Sequence, residues 1–287
     1  MKKYLKLMRV KHYIKNILVL LPLVFSRKLF DAKLLKINLL GFISFCFISS
    51  FIYVINDIVD VKQDKLHPIK CKRPIASGEL EIKNAIIFSL ILFIISATFN
   101  YFVASDGGAL VWILWGAYIL INFAYSFCLK KVPVVDILFL ASGFLIRVLY
   151  GGAISNISIS YWMCGVVFAL SLYMGLGKRR NEAVNQGECV RSVLKYYNSK
   201  VLNILMDICL GLTVVFYSCW CVFGVIDRGF SRIIYFSILM VVAIIAKYSY
   251  DIKGKVDGDP INVLLKDRVV ILGSILYGLF MYFVMHY

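Results

Sequence analysis

Asp57, Asp60 and Asp64 stand at spacings of three and four within NDIVDVKQDKLHPIKCKRPIASG, residues 56–78. They follow directly on an apolar run, 37–55, long enough to cross a bilayer. If the helix of that run continues through the acids, the spacings set all three carboxylates on one face, with Asn56 at its edge. Like charges packed so closely repel unless a cation lies between them. A hard divalent ion, Mg²⁺, is the economical solution, because it takes a few carboxylate oxygens and completes its shell with water and phosphate. Lys62, Lys65, Lys70, Lys72 and Arg73 come next, and Pro68 and Pro74 end the helix and fix a turn. Metal-holding acids beside phosphate-holding bases point to a diphosphate site. The competing reading is a charged loop that is merely the solvated end of a span; the helical register of the acids at a membrane mouth favours the site. A calcium loop would need a central glycine and a closing glutamate, and neither is present.

Other polar groups gather at the ends of apolar runs. Lys178, Arg179, Arg180 and Glu182 open a second charged stretch, where a basic cluster either orients the chain in the membrane or grips a phosphate through bidentate arginine. Tyr125 and Lys130 close another run, and a lysine at a helix C-terminus is also ordinary electrostatics. Asp136 and Arg147 lie on one run, eleven residues apart, so a helix returns them to nearly the same face about 16 Å apart. Charges at that depth face a bundle interior or a water-filled cavity.

The elements that must position these groups are membrane helices. The chain has 287 residues, 61% of them hydrophobic, and a mean hydropathy of +0.83, too apolar for an ordinary soluble domain. Apolar runs near 17–25, 37–55, 84–103, 108–128, 132–154, 159–176, 201–226, 232–248 and 269–286 predict an all-α polytopic bundle of about nine transmembrane helices. The basic N-terminus with Pro22 inside the first run reads as a retained, tilted helix with an amphipathic lead and not as a cleaved signal. Most of the 32 Lys and Arg fall in alternate connections, which sets residues 56–83 and 177–200 on the cytoplasmic side. The formal net charge of +16 first suggests nucleic acid, but the basic residues sit in short loops beside spans, with no RNP-like pattern, zinc-finger spacing or long basic helix. Anionic headgroups or phosphorylated substrates suit that distribution better. The eight cysteines show no CxxC spacing and read as free thiols, and His12, His67 and His286 are too scattered for a histidine metal site. No linker or low-complexity tract divides the chain, so residues 1–287 read as one integral-membrane domain.

NDxxDxxxD followed by RPIASG resembles the first aspartate motif of the UbiA-type membrane prenyltransferases. The HPxK of His67, Pro68 and Lys70 resembles the branch of decaprenyl-phosphate phosphoribosyltransferases, as does GKRRNE at 177–182, similar to that branch's GKRxxE. Tyr125 and Lys130 match a YSxxLK pattern. Arg9, Lys15 and Asn16 fill the family's opening, with Val10 where a proline is usual, and the residues from Asp259 to Arg268 resemble its ending. The resemblance implies a helical bundle with a polar cavity open to the cytoplasm and laterally to lipid, embedded in a bacterial inner membrane. It implies transfer of 5-phosphoribosyl from phosphoribosyl diphosphate to a polyprenyl phosphate, with release of diphosphate, for cell-envelope glycan precursors. Asp57, Asp60 and Asp64 would then hold Mg²⁺, and Lys70 and Arg73 the donor's phosphates. The prenyltransferases carry a second aspartate set where this chain has Lys178, Arg179 and Arg180. That exchange fits an acceptor phosphate with no metal of its own. The alternatives are transfer of a prenyl group from a prenyl diphosphate to an aromatic or other acceptor, and a lipid-phosphate carrier without catalysis.

Overall fold

A computed structural model describes residues 2–127, 129, 132–186, 198–253 and 267–286, and every regular element among them is helical. Among the described residues, seven helices are long and apolar enough to cross a membrane. The chain forms two compact units, Met1–Lys130 with Ile146–Ser158, and Lys131–Leu145 with Ile159–Tyr287.

The first unit begins with α1 (Lys2–Met8), a 3₁₀ segment (Val10–Leu20) and α2 (Leu21–Val24). The predicted first span and its lead are therefore three short pieces. Arg9 breaks the first joint with a left-handed backbone, φ 53° and ψ 49°, and Pro22 sits at the start of α2, where its missing N–H is no loss. Eleven residues is long for a 3₁₀ run. It is held by side-chain contacts to α3 (Ala32–Val59): the Tyr13 hydroxyl meets Ser50 Oγ at 2.8 Å and Asn16 donates to Cys46 Sγ at 3.4 Å. Asp31 starts α3 by accepting from the N–H groups of Lys33 and Leu34.

The expected unbroken helix through the acids is not what forms. α3 ends at Val59, Asp60 takes φ −90° and ψ 4°, and a separate short helix, α4, runs Val61–Leu66. The prolines act as expected: His67 and Arg73, each preceding one, are extended. Runs 84–103 and 108–128 form two spans, Ile82–Ala104 and Gly108–Phe127, within the stretch α5 (Ile82–Phe127), which is interrupted at Gly108 with φ +64°, a backbone that only glycine takes at no cost. α3 packs along α5 around Phe45, Ile48, Phe51 and Leu92, and buried hydroxyls tie the two through Ser44 and Ser96, 3.2 Å apart. Small polar contacts of this kind hold helices in lipid, where burial of apolar surface supplies no drive.

α6 (Val135–Ser155) contributes its first half to the second unit and its second half to the first. The second unit continues with α7 (Tyr161–Gln186), α8 (Ser199–Arg228), a 3₁₀ turn at Arg232–Tyr235, α9 (Phe236–Lys253) and α10 (Arg268–His286). Its core gathers Ile137, Tyr173, Leu202, Met206 and Ile252. α7 does not stop with its apolar part at 176; it carries the basic cluster on as helix to Gln186, where a loop was expected. Asp267 caps α10, accepting from Val269 and Val270, and its carboxyl is held down to about 2 by the Lys247 ammonium first and by those N–H groups next. The six described cysteines are free.

Candidate functional site

In the first unit, α3 delivers Asp57 in its last turn and α4 delivers Asp64 in its first, and both side chains are buried, at 2% and 3% exposure. The break at Asp60 changes what they can share. Arg73, on the loop after α4, donates from Nη1 to Asp64 Oδ2 at 2.6 Å and to Asp57 Oδ1 at 3.1 Å. Arg9 Nη2 donates to that same Asp57 oxygen, while its guanidinium lies 4.9 Å from the ring centroid of Tyr53. So two acids and two arginines converge, and the third acid, Asp60, stands half-buried at the break. Among the described residues, no three His, Cys, Asp or Glu side chains gather closely enough to hold a metal ion together. Two buried carboxylates that already share one cationic atom do fit Mg²⁺, which commonly takes one or two protein carboxylates and leaves its other positions to water and phosphate.

The neighbouring groups serve this turn. Asn56 Oδ1 accepts from Ser126, which ties the end of α3 to α5. His67 Nδ1 accepts from the N–H of Ile69 at 3.1 Å and of Lys70 at 3.3 Å, so the imidazole shapes the loop that carries Lys70. Lys6 of α1 reaches the Lys72 carbonyl at 2.8 Å. Lys15 and Tyr125 are half-buried; Lys130 lies outside the described residues.

Asn16 and Arg147 meet deeper in the same unit. Arg147, 5% exposed, donates from Nε to Asn16 Oδ1 and from Nη2 to the Tyr118 hydroxyl, each at 2.7 Å, with its guanidinium 4.7 Å from the Tyr118 ring centroid. Ser49 completes the group at 3.2 Å from that hydroxyl.

Asp136 takes a different partner. In the second unit it accepts from Arg179 Nε at 2.6 Å, and Glu182 accepts from Nη1 of the same guanidinium at 2.6 Å. Arg179 and Asp136 are each only 1% exposed at the side chain. The close approach depends on Gly175, one turn before Arg179: a Cβ there would lie 2.9 Å from Ile137 Cγ2, next to Asp136. A cation expected at a phosphate is thus a buried tie between α6 and α7. Its neighbours Lys178 and Arg180 are half-buried, and Arg180 Nε donates to Asn203 Oδ1 of α8 at 2.6 Å. Sequence reasoning left Arg9, Tyr118 and Ser49 out of the candidate residues. Only Arg9 carried a signal, its place in the family's opening.

A sequence profile described as the UbiA prenyltransferase family matches residues 20–266. The chain belongs to that family. Among curated relatives, the decaprenyl-phosphate phosphoribosyltransferase of Corynebacterium glutamicum is 33% identical over 273 residues, covering 93% of this chain and 81% of the relative. The protein of that name from Mycobacterium tuberculosis is 30% identical over 275 residues, covering 92% and 88%. The solved UbiA homolog from Archaeoglobus fulgidus bound to GPP and Mg²⁺ matches with a TM-score of 0.73 at 17% identity over 99% of both chains, which shows the fold. As a UbiA-family member with seven such helices, the chain is an integral membrane protein.

Proposed function

We propose that this UbiA-family protein moves 5-phosphoribosyl from phosphoribosyl diphosphate to a polyprenyl phosphate of the decaprenyl-phosphate type, at the cytoplasmic face of a bacterial inner membrane. The observation that carries this reading is the convergence of Asp57 and Asp64 on one cationic point beside the RPIASG turn. Relatives named for that activity at 30–33% identity support the substrates.

In the reaction, an oxygen of the lipid phosphate forms a bond to the anomeric carbon of the ribosyl group as the bond to the diphosphate oxygen breaks. The diphosphate leaves with that electron pair. The acceptor is already an anion and needs no strong base. Asp57 and Asp64, with Asp60 beside them at the break, are the acids of the metal site; the first two would hold Mg²⁺, which would neutralise charge growing on the leaving diphosphate. Arg73 and Lys70 bind donor phosphates, His67 and Asn56 position that loop, and Lys15, Tyr125 and Lys130 contribute to the donor side. Lys178 and Arg180 offset the charge of the acceptor phosphate. Asp136, Arg179 and Glu182 hold the helix that bears them, and Arg147 with Asn16 fixes the 3₁₀ segment that follows Arg9. The profile match runs through both units, in keeping with a single catalytic domain.

Membranes containing the protein are incubated with labelled phosphoribosyl diphosphate and polyprenyl phosphate. Label should enter the lipid phase, and free polyprenol should not accept it. Transfer of a prenyl group to an aromatic acid, without labelled lipid, would overturn the assignment in favour of an ordinary prenyltransferase.

A further inference from the structure

Away from the acid cluster, α1 and the start of α5 frame an open groove of about 440 Å³. Leu5 and Met8 of α1 form one wall, and Ile87, Phe88 and Ile91 of α5 the other. Tyr4 lies against Phe88, with ring centroids 4.8 Å apart, and the buried Leu7 roots α1 in the core of the first unit. Leu5, Ile87 and Ile91 nevertheless remain half exposed, so the described residues leave these walls uncovered.

The groove is graded from end to end. α5 begins at Ile82, so Asn84 marks the loop end of the groove, and Ile91 lies about 10 Å further along the axis. The two polar lining residues, Tyr4 and Asn84, each follow a lysine, Lys3 and Lys83. Lys3 stays beside its neighbour, Nζ 5.7 Å from the Tyr4 ring centroid. Lys2, Lys3, Lys6 and Lys83 are all exposed, against Glu79 and Glu81 as the exposed acids of the same stretch, so the mouth is net cationic. A cationic mouth over an apolar trough is the complement of a lipid with an anionic headgroup. A free anion would leave the trough unfilled, and a zwitterionic headgroup would bring its own ammonium against the lysines.

We propose that this groove seats one acyl chain of an anionic phospholipid, its phosphate held by Lys3 and Lys83, and that the seated lipid braces the chain from Lys70 to Glu79. Two contacts give α1 that reach. Lys6 Nζ donates to the Lys72 carbonyl at 2.8 Å, and Lys3 Nζ to the Glu79 carbonyl at 3.4 Å. An ammonium has three donors, so Lys3 serves that carbonyl and a phosphate oxygen together. Held between lipid and loop, α1 stiffens the loop from outside, with no contact between the lipid and the acids. The proposal concerns a surface apart from the donor site and holds whichever group the enzyme transfers.

The test uses the purified full chain in phosphatidylcholine nanodiscs containing a phosphatidylglycerol with a photoreactive diazirine on one acyl chain. After irradiation and proteolysis, labelled peptides are read by mass spectrometry. Label should concentrate on residues 4–8 and 84–91, severalfold above the exposed faces of α8 and α10, and unlabelled phosphatidylglycerol should compete it away. Phosphatidylcholine bearing the same diazirine should show no such enrichment. Lys3→Gln combined with Lys83→Gln should cut the enrichment severalfold, and Ile87→Trp, which fills the trough, should abolish it. If Ile87→Trp does not accumulate, Leu5→Trp fills the trough from the other wall. Amide hydrogen exchange at residues 70–79 should slow severalfold when phosphatidylglycerol is added to wild type, and should not respond in the lysine double variant. Even labelling of all lipid-facing helices, equal labelling by both lipids, competition by polyprenyl phosphate but not by phosphatidylglycerol, or exchange at 70–79 that ignores the lipid overturns the proposal.

Discussion

Two clusters in this chain are built from the same parts, arginine and paired carboxylates, and they are opposites in burial. In the first unit the acids are buried and the arginines half-buried, whereas in the second Arg179 is sealed at 1% exposure between Asp136 and Glu182. A guanidinium that reaches water can leave its carboxylate at modest cost, because water replaces the lost partner. One without that access cannot leave without stranding a charge. The difference separates a pair whose arginines reach water, as the proposed donor site requires, from a fixed pair that holds helices in place.

The comparison is broken most directly at the sealed cluster. Asp136→Ala should destabilise the protein by about 3–5 kcal/mol, the usual result of removing one partner of a buried pair. It should appear as loss of accumulated protein and a lower melting temperature in detergent. Replacing Asp136 and Arg179 together by leucine and methionine should recover much of that loss. At the cluster of the first unit the effect should move from folding to rate. Asp57→Asn and Asp64→Asn are expected to lower turnover about 10²–10³-fold, the scale for losing one electrostatic stabiliser of a leaving group, while the protein still inserts and accumulates. Equal accumulation defects in both clusters would erase the distinction.

Smaller effects sharpen it within a single helix turn. Arg180→Ala should weaken use of lipid phosphate by about 1.5–3 kcal/mol, a charge-assisted contact, with donor binding little changed, as read from paired titrations of acceptor and donor. Arg179→Ala should instead reduce folded protein. The smallest change is expected at Asp267→Asn. Asparagine still caps α10, and a half-buried ion pair that still reaches water, such as Asp267 with Lys247, contributes little, so melting temperature and turnover should stay near wild type.

Helix type, membrane class and the aspartate motif were legible because each rests on local pattern: long apolar runs, acids three and four apart, prolines that stop a helix. The break at Asp60 was not. Asp64 N–H still bonds the Asp60 carbonyl at 2.8 Å, so the hydrogen-bond spacing of an unbroken helix survives although Asp60 itself leaves helical backbone angles. Burial of Arg179 was hidden for another reason. A run of Lys-Arg-Arg reads as solvated charge, and its partner Asp136 stands 43 residues earlier. Asp136 and Arg147 were expected to act from one helix face, yet they serve Arg179 and Asn16 respectively. Spacing along one helix says nothing of which neighbours pack on it.

The 3₁₀ form of Val10–Leu20 also determines how this stretch tolerates change. With three residues per turn, Tyr13, Asn16 and Val19 stack in a straight file, and they are the residues that meet Ser50, meet Cys46 and Arg147, and enter the core. An α-helix would wind the same three around its axis. The file behaves like the teeth of a rack: adding or removing one residue turns every later tooth by about a third of a revolution, whereas a change of three keeps the facing and slides the rack by about 6 Å. Length variation within residues 10–20 should therefore come in threes.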